Sequence, residues 1–241
     1  MKRVFDFIMA FFGLILISPI FVVIALINKF TGNDVFFIQE RIGKDLKPFT
    51  LIKFATMNKD AHINGDTITC KNDSRVTKIG ALFRKSKINE LPQLINVLKG
   101  DMSLVGPRPL PSNEVSIYPP DVAKKIYSIK PGITGLASLY FHDEEKLLSG
   151  DREHAESIFK NIIMPKKAEF ELWYVDNRKF SLDLKIIFAT FLVICIPHTN
   201  ILLFISKRLG GSEVQQNAEK IFEIQYELEN EDISVLREQK E

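Results

Sequence analysis

The chain has 241 residues, which is enough for one domain of ordinary size with a substantial hydrophobic core. Its formal net charge of +2 gives no argument for a nucleic-acid partner. The two cysteines, Cys70 and Cys195, are too few for a disulfide framework or a cysteine metal cluster. A reducing, cytoplasmic setting is therefore the simpler interpretation.

The N-terminal segment is apolar and long. Residues Ile8 to Ile27 carry no charged side chain, and such a run is about as long as a bilayer-spanning helix. Ser18 and Pro19 lie at its centre, where proline removes a helical hydrogen bond and favours a kink. Basic residues flank both ends, and by the positive-inside rule this favours a cytoplasmic location for both. Two structures remain open: a kinked hairpin that enters and leaves the membrane on one face, and a plain transmembrane helix.

The segment that follows is predicted to form two strands joined by a charged turn. Val35 to Ile38 and Pro48 to Phe54 are rich in residues that favour strands. Gln39 to Lys44 is charged and is predicted to be the turn between them. The polar stretch from Asp60 to Ser74 indicates a loop, and a short helix is expected from Ala81 to Lys85.

A second short helix is predicted to begin near Asn89 and to end at Gly100. Asn89 is a favourable N-cap residue, and glycine is common at the C-terminal end of a helix. Three cations precede this helix, so its N-terminus is a plausible phosphate site with Glu90 inside it. The apolar face consists of Leu91, Leu94, Ile95 and Leu98, and the cations are Arg84, Lys85 and Lys87.

The second half of the chain is predicted to be mainly helical. Helices are expected from Asp121 to Ile129 and from Ile158 to Phe180, the latter broken near Pro165. A short strand is expected from Ser138 to Phe141. The apolar run from Ile186 to Ile196 is too short to span a bilayer, so it is either an interfacial helix or a buried core helix.

Several motifs together resemble the monotopic polyprenyl-phosphate phosphoglycosyl transferases, the bacterial sugar transferases that begin membrane-linked glycan assembly. The resemblance extends from Lys2 to about Thr190. Its strongest part runs from Asn89 to Pro109 and reads NELPQLINVLKGDMSLVGPRP. Supporting matches include Ser18-Pro19, Gln39 with Arg41 and Gly43, Lys53-Phe54 with Thr56-Met57, Pro131 to Ala137, and Ser181 to Lys185.

The resemblance implies a fold, a location and a reaction. Members of this family carry a re-entrant membrane helix that is broken at the Ser-Pro pair, and their catalytic domain stays on the cytoplasmic face of the inner membrane. They move a phosphosugar from a nucleotide sugar, usually a UDP-sugar, to a polyprenyl phosphate. The products are a polyprenyl-diphosphate sugar and UMP, and magnesium is the usual cofactor. The implied partners are thus a nucleotide sugar, a polyprenyl phosphate and the lipid bilayer.

The same resemblance assigns roles to five residues. Lys53, Arg84 and Arg108 are expected to bind the substrate phosphates or the nucleotide. Glu90 is expected to act in catalysis and to bind magnesium, which commonly takes only one or two carboxylate ligands from protein. Asn89 occupies the position of the family's nucleophilic aspartate.

Three positions depart from the family pattern. Asn89 replaces the aspartate of the usual Asp-Glu pair, Ala55 stands where arginine is common, and Ser138 replaces a frequent glutamine. A carboxamide is a much poorer nucleophile than a carboxylate. Three alternatives therefore remain: Glu90 is the nucleophile, Glu90 and magnesium assist direct attack by the lipid phosphate, or the chain is a non-catalytic subunit of an assembly complex.

We therefore predict an α+β fold that is mostly helical. Residues 1–30 form the re-entrant membrane helix, and residues 31–206 form the cytoplasmic catalytic domain with amphipathic helices at the membrane interface. Residues 207–241 form an acidic tail, which is either a peripheral helix or an interaction segment. The sequence does not determine the sugar or the oligomeric state, and a homo-oligomer stays an open alternative.

Overall fold

The computed structural model describes residues 1–59, 73–142, 144, 147, 148 and 152–196. Its mostly helical structure, with a long apolar N-terminal helix and little strand, confirms the predicted class. The chain divides into a first unit (Met1–Asp66 with Asp73–Gly135) and a second unit (Thr67–Asn72 with Leu136–Glu241). Most of the predicted loop from Asp60 to Ser74 lies outside the described residues, as do Cys70 and the acidic tail.

The first unit contains five helices and two small sheets among its described residues. Its N-terminal helix is α1 (Lys2–Phe30). Strand β1 (Phe36–Ile42) pairs antiparallel with β2 (Pro48–Phe54), and β3 (Ser103–Val105) pairs parallel with β4 (Gly132–Thr134). The other helices are α2 (Lys78–Lys85), α3 (Gln93–Lys99), α4 (Ser112–Val115) and α5 (Pro120–Ile126), and 3₁₀ turns cover Lys44–Leu46 and Ile88–Glu90.

Strand β2 has the predicted bounds, but β1 continues through Ile42. The prediction of a charged turn from Gln39 to Lys44 was therefore wrong. The turn begins at Gly43, whose N–H donates to the Lys47 carbonyl at 2.8 Å. Charge did not end the strand because the polar side chains alternate along it: Gln39 and Arg41 lie on the less exposed face and Glu40 on the exposed face.

Helix α1 packs along the first unit over most of its length. At about 1.5 Å per residue, its 29 residues measure about 43 Å. Near one end, Ala10 is buried against Leu51 of β2. Near the other end, Ile24 is buried against Phe54 of the same strand. Both of these hydrophobic clusters therefore depend on α1.

Polar contacts fix both ends of α1 to the first unit. At the N-terminal end, the buried Asp6 carboxylate accepts hydrogen bonds from the Ser103 hydroxyl at 2.8 Å and from the Leu104 N–H at 3.3 Å. Arg3 donates to the carbonyl of Leu98 at the C-terminal end of α3. At the C-terminal end, the buried Asn28 amide donates to the Ala55 carbonyl at 3.3 Å.

The Ser18-Pro19 pair lies inside α1, which is helical on both sides of it. Because proline has no N–H, Pro19 cannot donate to the carbonyl of Ile15, four residues before it. The Ser18 hydroxyl donates to that carbonyl at 2.8 Å instead. A hydroxyl that satisfies a freed carbonyl in this way makes proline tolerable in a helix surrounded by lipid.

The face of α1 that does not contact the first unit is apolar. Among the described helices, α1 is the one whose length and composition are sufficient to cross a membrane. Many of its large apolar side chains are exposed, which is the surface expected for contact with lipid. These side chains are Phe7, Ile8, Met9, Phe11, Phe12, Ile15, Leu16, Ile20, Val22, Val23, Leu26 and Phe30.

The second unit is helical in its described part. It comprises α6 (Leu136–Tyr140), α7 (Arg152–Ile158), a π-helical turn (Phe159–Ile163), α8 (Met164–Asn177) and α9 (Phe180–Cys195). The predicted strand from Ser138 to Phe141 was wrong. Leu139, Tyr140 and Phe141 are all buried, so consecutive side chains do not alternate between two faces as they would in a strand.

The helix predicted from Ile158 to Phe180 is not broken near Pro165 as predicted; it continues through that residue and ends at Asn177. The π-helical turn ends at Ile163, and Pro165 then lies in the first turn of α8, where a missing N–H is tolerated. Helix α9 contains the apolar run from Ile186. It buries one face, which includes Ile186 and Val193, and exposes Phe188 and Phe191 on the other.

Candidate functional site

A small polar cavity lies in the first unit between the β1–β2 sheet and the backbone that carries the Pro-Arg-Pro motif. The space between its lining residues measures about 240 Å³, part of which is open solvent. Its lining contains three cations and one carboxylate. The lining residues are Arg41, Lys53, Glu90, Gln93, Arg108, Pro109, Gly132 and Ile133.

Glu90 is the acidic group of this cavity, and two cations contact the same oxygen of its carboxylate. Lys53 Nζ donates to Glu90 Oε1 at 3.2 Å, and Arg108 Nη2 donates to it at 3.4 Å. The side chains of Lys53 and Glu90 are 16% and 13% exposed, whereas that of Arg108 is 38% exposed. Arg108 therefore lies closest to solvent, where an incoming anion would first meet positive charge.

The charges of the cavity shift the pKa values of both buried partners. Burial alone would raise the pKa of Glu90, but the charges of Lys53, Arg108 and Lys87 outweigh it and hold that pKa well below its usual range. Burial lowers the pKa of Lys53 to about 8, with Arg108 and Arg41 adding to the decrease and Glu90 opposing it. Glu90 is thus ionised at neutral pH, and Lys53 is mostly protonated.

Close backbone approach between β3 and β4 positions Arg108 at the cavity. A Cβ at Gly132 would lie 2.1 Å from the Gly106 nitrogen, and one at Gly106 would lie 2.4 Å from the Lys130 carbonyl oxygen. Only glycine fits at these positions. The carbonyl of Arg108 also accepts a hydrogen bond from the buried Tyr127 hydroxyl at 3.0 Å, which fixes the backbone at Arg108.

The helix predicted to begin near Asn89 instead begins at Gln93, so the prediction that Asn89 caps it was wrong. Ile88–Glu90 forms a separate 3₁₀ turn, preceded by Lys87 with a φ of 55° in the left-handed region. Pro92 stands at the N-cap position of α3, because proline cannot donate within a helix. Gly100, with a φ of 94°, ends α3 as predicted.

Asn89 lies next to Glu90 but is not part of the cavity lining. Its Oδ1 atom is buried and has no hydrogen-bond partner among the described residues. Arg84 is also absent from the lining, and its Nε donates to the Thr56 hydroxyl at 3.0 Å. The structure therefore brings together Lys53, Glu90 and Arg108, while the roles given to Asn89 and Arg84 stay predictions.

Two polar lining residues, Arg41 and Gln93, were not predicted as site residues. Gln93 is buried at the start of α3, where its position was interpreted only as part of a motif. Arg41 lies on β1, and the signal for it was present in the match of Gln39, Arg41 and Gly43 to the family pattern. Because Gln39 to Lys44 was wrongly predicted to be a turn, the orientation of Arg41 toward Lys53 was not predicted.

Comparison with known proteins identifies the family. The family model described as bacterial sugar transferase matches residues 1–197. The uncharacterized sugar transferase EpsL of Bacillus subtilis is 42% identical over 191 residues, which cover 79% of this chain and 85% of that protein. The exopolysaccharide production protein ExoY of Rhizobium meliloti is 34% identical over 212 residues, covering 81% of this chain and 85% of its own length.

A relative with a more specific name matches a similar share of the chain. The UDP-glucose:undecaprenyl-phosphate glucose-1-phosphate transferase of Klebsiella pneumoniae is 40% identical over 192 residues, which cover 78% of this chain but 39% of that longer protein. The family model covers most of the chain, and EpsL and ExoY match the chain over most of their own length. The predicted identification as a phosphoglycosyl transferase enzyme is confirmed, and the chain belongs to the bacterial sugar transferase family.

Proposed function

We propose that this enzyme transfers a phosphosugar from a UDP-sugar to undecaprenyl phosphate and releases UMP, as the first membrane step of surface polysaccharide synthesis. The observation that carries the proposal is the clustering of Lys53, Arg108 and Arg41 around Glu90. The names of relatives from Klebsiella pneumoniae and Aeromonas hydrophila, which specify undecaprenyl phosphate as acceptor, support the same chemistry.

The charge of the cavity suits a diphosphate. Three cations and one carboxylate give a formal charge of +2 in the lining, which complements the two negative charges of a sugar-linked diphosphate. The cavity is small and partly open to solvent. We therefore place the reacting phosphates against its cations, with the uridine and the sugar outside it.

The reaction needs charge stabilisation more than proton transfer. In the direct route, an oxygen of the lipid phosphate forms a bond to the sugar-linked phosphorus, the bond from that phosphorus to the bridging oxygen breaks, and UMP leaves with the electron pair. In a two-step route, an enzyme carboxylate displaces UMP in the same way. The lipid phosphate then bonds to that phosphorus, and the carboxylate leaves with the electron pair. Lys53 and Arg108 would stabilise the charge that develops on the phosphoryl oxygens.

Glu90 has two open roles in this scheme. Its lowered pKa keeps it ionised and able to attack, but both cations that contact its Oε1 atom reduce its nucleophilicity. The alternative is direct attack by the lipid phosphate, with Glu90 placing Lys53 and Arg108. A buried carboxylate that holds two phosphate-binding cations in position favours neither route by itself.

Magnesium is part of the proposal. The described residues contain no group of three or more histidine, cysteine or acidic side chains able to enclose an ion. Glu90 would therefore be the protein ligand, and the substrate phosphates and water would complete the coordination, as is common for this ion. A bound magnesium ion would neutralise part of the negative charge on the phosphates.

The membrane topology is proposed to be re-entrant, with the first unit on the cytoplasmic face of the inner membrane. The contacts of Asp6 and Asn28 with the same unit support it. A helix of about 43 Å that crossed a hydrocarbon core of about 30 Å would place its two ends on opposite sides of the bilayer. One cytoplasmic unit could then bind only one of those ends.

Helix α9 is proposed to lie at the membrane interface. Its sequence left two alternatives open, an interfacial helix and a buried core helix, and α9 has features of both. Leu182 and Ile186 are buried, while Phe188 and Phe191 are more than 60% exposed. An apolar exposed face on a helix too short to span suits contact with the acyl chains near the headgroups.

A donor screen tests the proposed reaction. Membranes that contain the full chain are given undecaprenyl phosphate and a panel of UDP-sugars, and UMP release is measured. Release is expected for at least one sugar, and Glu90→Gln should reduce it by more than a hundredfold, whereas Glu40→Gln on the exposed face of β1 should leave it unchanged. If no nucleotide sugar supports release, the non-catalytic alternative replaces the proposal.

A further inference from the structure

Arg41 is a cation of the cavity to which neither the family resemblance nor the relatives assign a role. It lies on β1 opposite Phe49 of β2 and lines the same cavity as Lys53 and Arg108. The charges of Glu114 on α4, Arg108 and Glu90 act on it electrostatically.

Among the described residues, the guanidinium of Arg41 makes one hydrogen bond to protein. Its Nη2 donates to the Oε1 atom of Gln39, two residues earlier on the same face of β1. Its Nε atom is buried and has no acceptor among the described residues. Lys53 and Arg108, by contrast, already donate to Glu90.

A buried cationic donor without an acceptor is costly, and more so than a neutral one. Such a group needs an explanation, and a ligand that supplies the acceptor is a direct one. The acceptor must be anionic, because the lining already carries excess positive charge, and it must be small, because the cavity is small. A phosphoryl oxygen meets both requirements.

We propose that Arg41 is a phosphate-binding residue of this enzyme, and that its Nε–H donates to a phosphoryl oxygen of the bound diphosphate while Gln39 holds the guanidinium in orientation. This inference rests on the proposed function, since it takes the diphosphate of the nucleotide sugar as the ligand. Lysine could not replace Arg41 fully, because it carries charge but no second nitrogen donor at the Nε position.

Burial, together with the charge of Arg108, lowers the pKa of Arg41 to about 10, against which Glu114 and Glu90 act. The guanidinium therefore remains charged at neutral pH. A purely structural role is the competing explanation, in which Arg41 connects β1 to Glu114 of α4 and never contacts substrate. The two roles predict different results for ligand affinity.

The test is calorimetric binding of UDP and of inorganic pyrophosphate to the full chain in detergent. Arg41→Gln should weaken the affinity for both ligands by about 10- to 100-fold, the range for a hydrogen bond to a charged group. Arg41→Lys should weaken both at least severalfold although it keeps the charge. Lys47→Gln, which removes an exposed cation in the neighbouring turn, should change neither affinity.

The outcomes separate this inference from the proposed function. If the wild-type chain binds neither UDP nor pyrophosphate, the proposed function fails first. If the wild type binds them and both Arg41 variants bind equally well, the inference is overturned. A loss for UDP alone would also overturn it, because Arg41 would then contact the nucleoside. If Arg41→Gln does not fold, the comparison of Arg41→Lys with Lys47→Gln decides.

Discussion

Two opposing effects act on the pKa of Lys53. Its side chain is largely buried, which lowers the pKa, and it pairs with the Glu90 carboxylate, which raises it. Burial is the larger influence, and the pKa of Lys53 falls to about 8. Its ammonium group is thus charged at neutral pH but loses its proton within the range of ordinary assays. The positive charge that Lys53 contributes to the cavity therefore depends on pH.

The affinity for UDP should fall as pH rises through about 8. Above this value Lys53 is neutral, and the cavity loses one of its cations, whereas below it the charge is fully present. Lys53→Arg should keep the affinity nearly constant between pH 7 and 9, because arginine holds its charge to higher pH than lysine. Titration calorimetry at several pH values measures this. An equal decline in wild type and Lys53→Arg would show that Lys53 is not the group that titrates.

Asn89 presents a buried side-chain oxygen without a partner, directly beside the catalytic candidate Glu90. Asn89→Asp should increase UMP release severalfold and allow a phosphosugar adduct to be trapped, since a carboxylate is a far better nucleophile than an amide. Intact-protein mass spectrometry detects the adduct. Asn89→Ala is the control and should resemble wild type. A trapped adduct on wild-type Glu90 would instead establish Glu90 as the nucleophile.

At the level of secondary structure, α1 explains how a proline is accommodated in an apolar helix. The Ser18 hydroxyl satisfies the Ile15 carbonyl that Pro19 leaves without its donor. The ends of α1 are then held by polar contacts at Asp6 and Asn28. These three features are consistent with the proposed re-entrant topology, in which both ends of α1 stay with the same unit.

Both ends of α1 should be accessible from the cytoplasmic side. Single cysteines are placed at Val4 and Lys29 in a chain whose Cys70 and Cys195 are replaced by serine. A membrane-impermeant maleimide should label both in inverted vesicles and neither in spheroplasts. Lys47→Cys, in the exposed β1–β2 turn, marks the cytoplasmic side. Labelling of one end of α1 from the periplasmic side would establish a spanning helix instead.

The elements that could be predicted from the sequence are those decided by local pattern. Strand β2 and the Gly100 end of α3 have their predicted bounds. The end of β1 and the segment Ser138 to Phe141 were mispredicted, because pairing and packing with distant residues decided them. In the cavity, Lys53, Glu90 and Arg108 were predicted from the family resemblance. Arg41 was not predicted, because it reaches the cavity through the alternation of side chains along β1, and its charged segment was predicted to be a turn.

At the scale of the whole first unit, the membrane helix and the cavity share one core. Ala10 and Ile24 of α1 are buried against Leu51 and Phe54 of β2. Lys53 lies between those two residues on the same strand, so the packing of α1 supports the strand that positions a cation of the cavity. Membrane attachment and the site are therefore parts of a single folded structure.

Deletion of α1 should therefore destroy the phosphate site rather than release a soluble enzyme. A chain that begins at Asn33 would expose Leu51 and Phe54, and it would lose the contacts of Asp6 and Asn28. The free energy of unfolding of a whole domain is only about 5–15 kcal/mol. Exposing two hydrophobic clusters is expected to remove more stability than this unit has. We expect this truncated chain to lose UDP binding in detergent, where insolubility in water cannot explain the loss. A truncated chain that binds UDP with full affinity would show that α1 is a separable anchor.

The milder variant Ile24→Ala should stay folded but melt at a lower temperature, because a buried isoleucine-to-alanine change costs about 2–5 kcal/mol of stability.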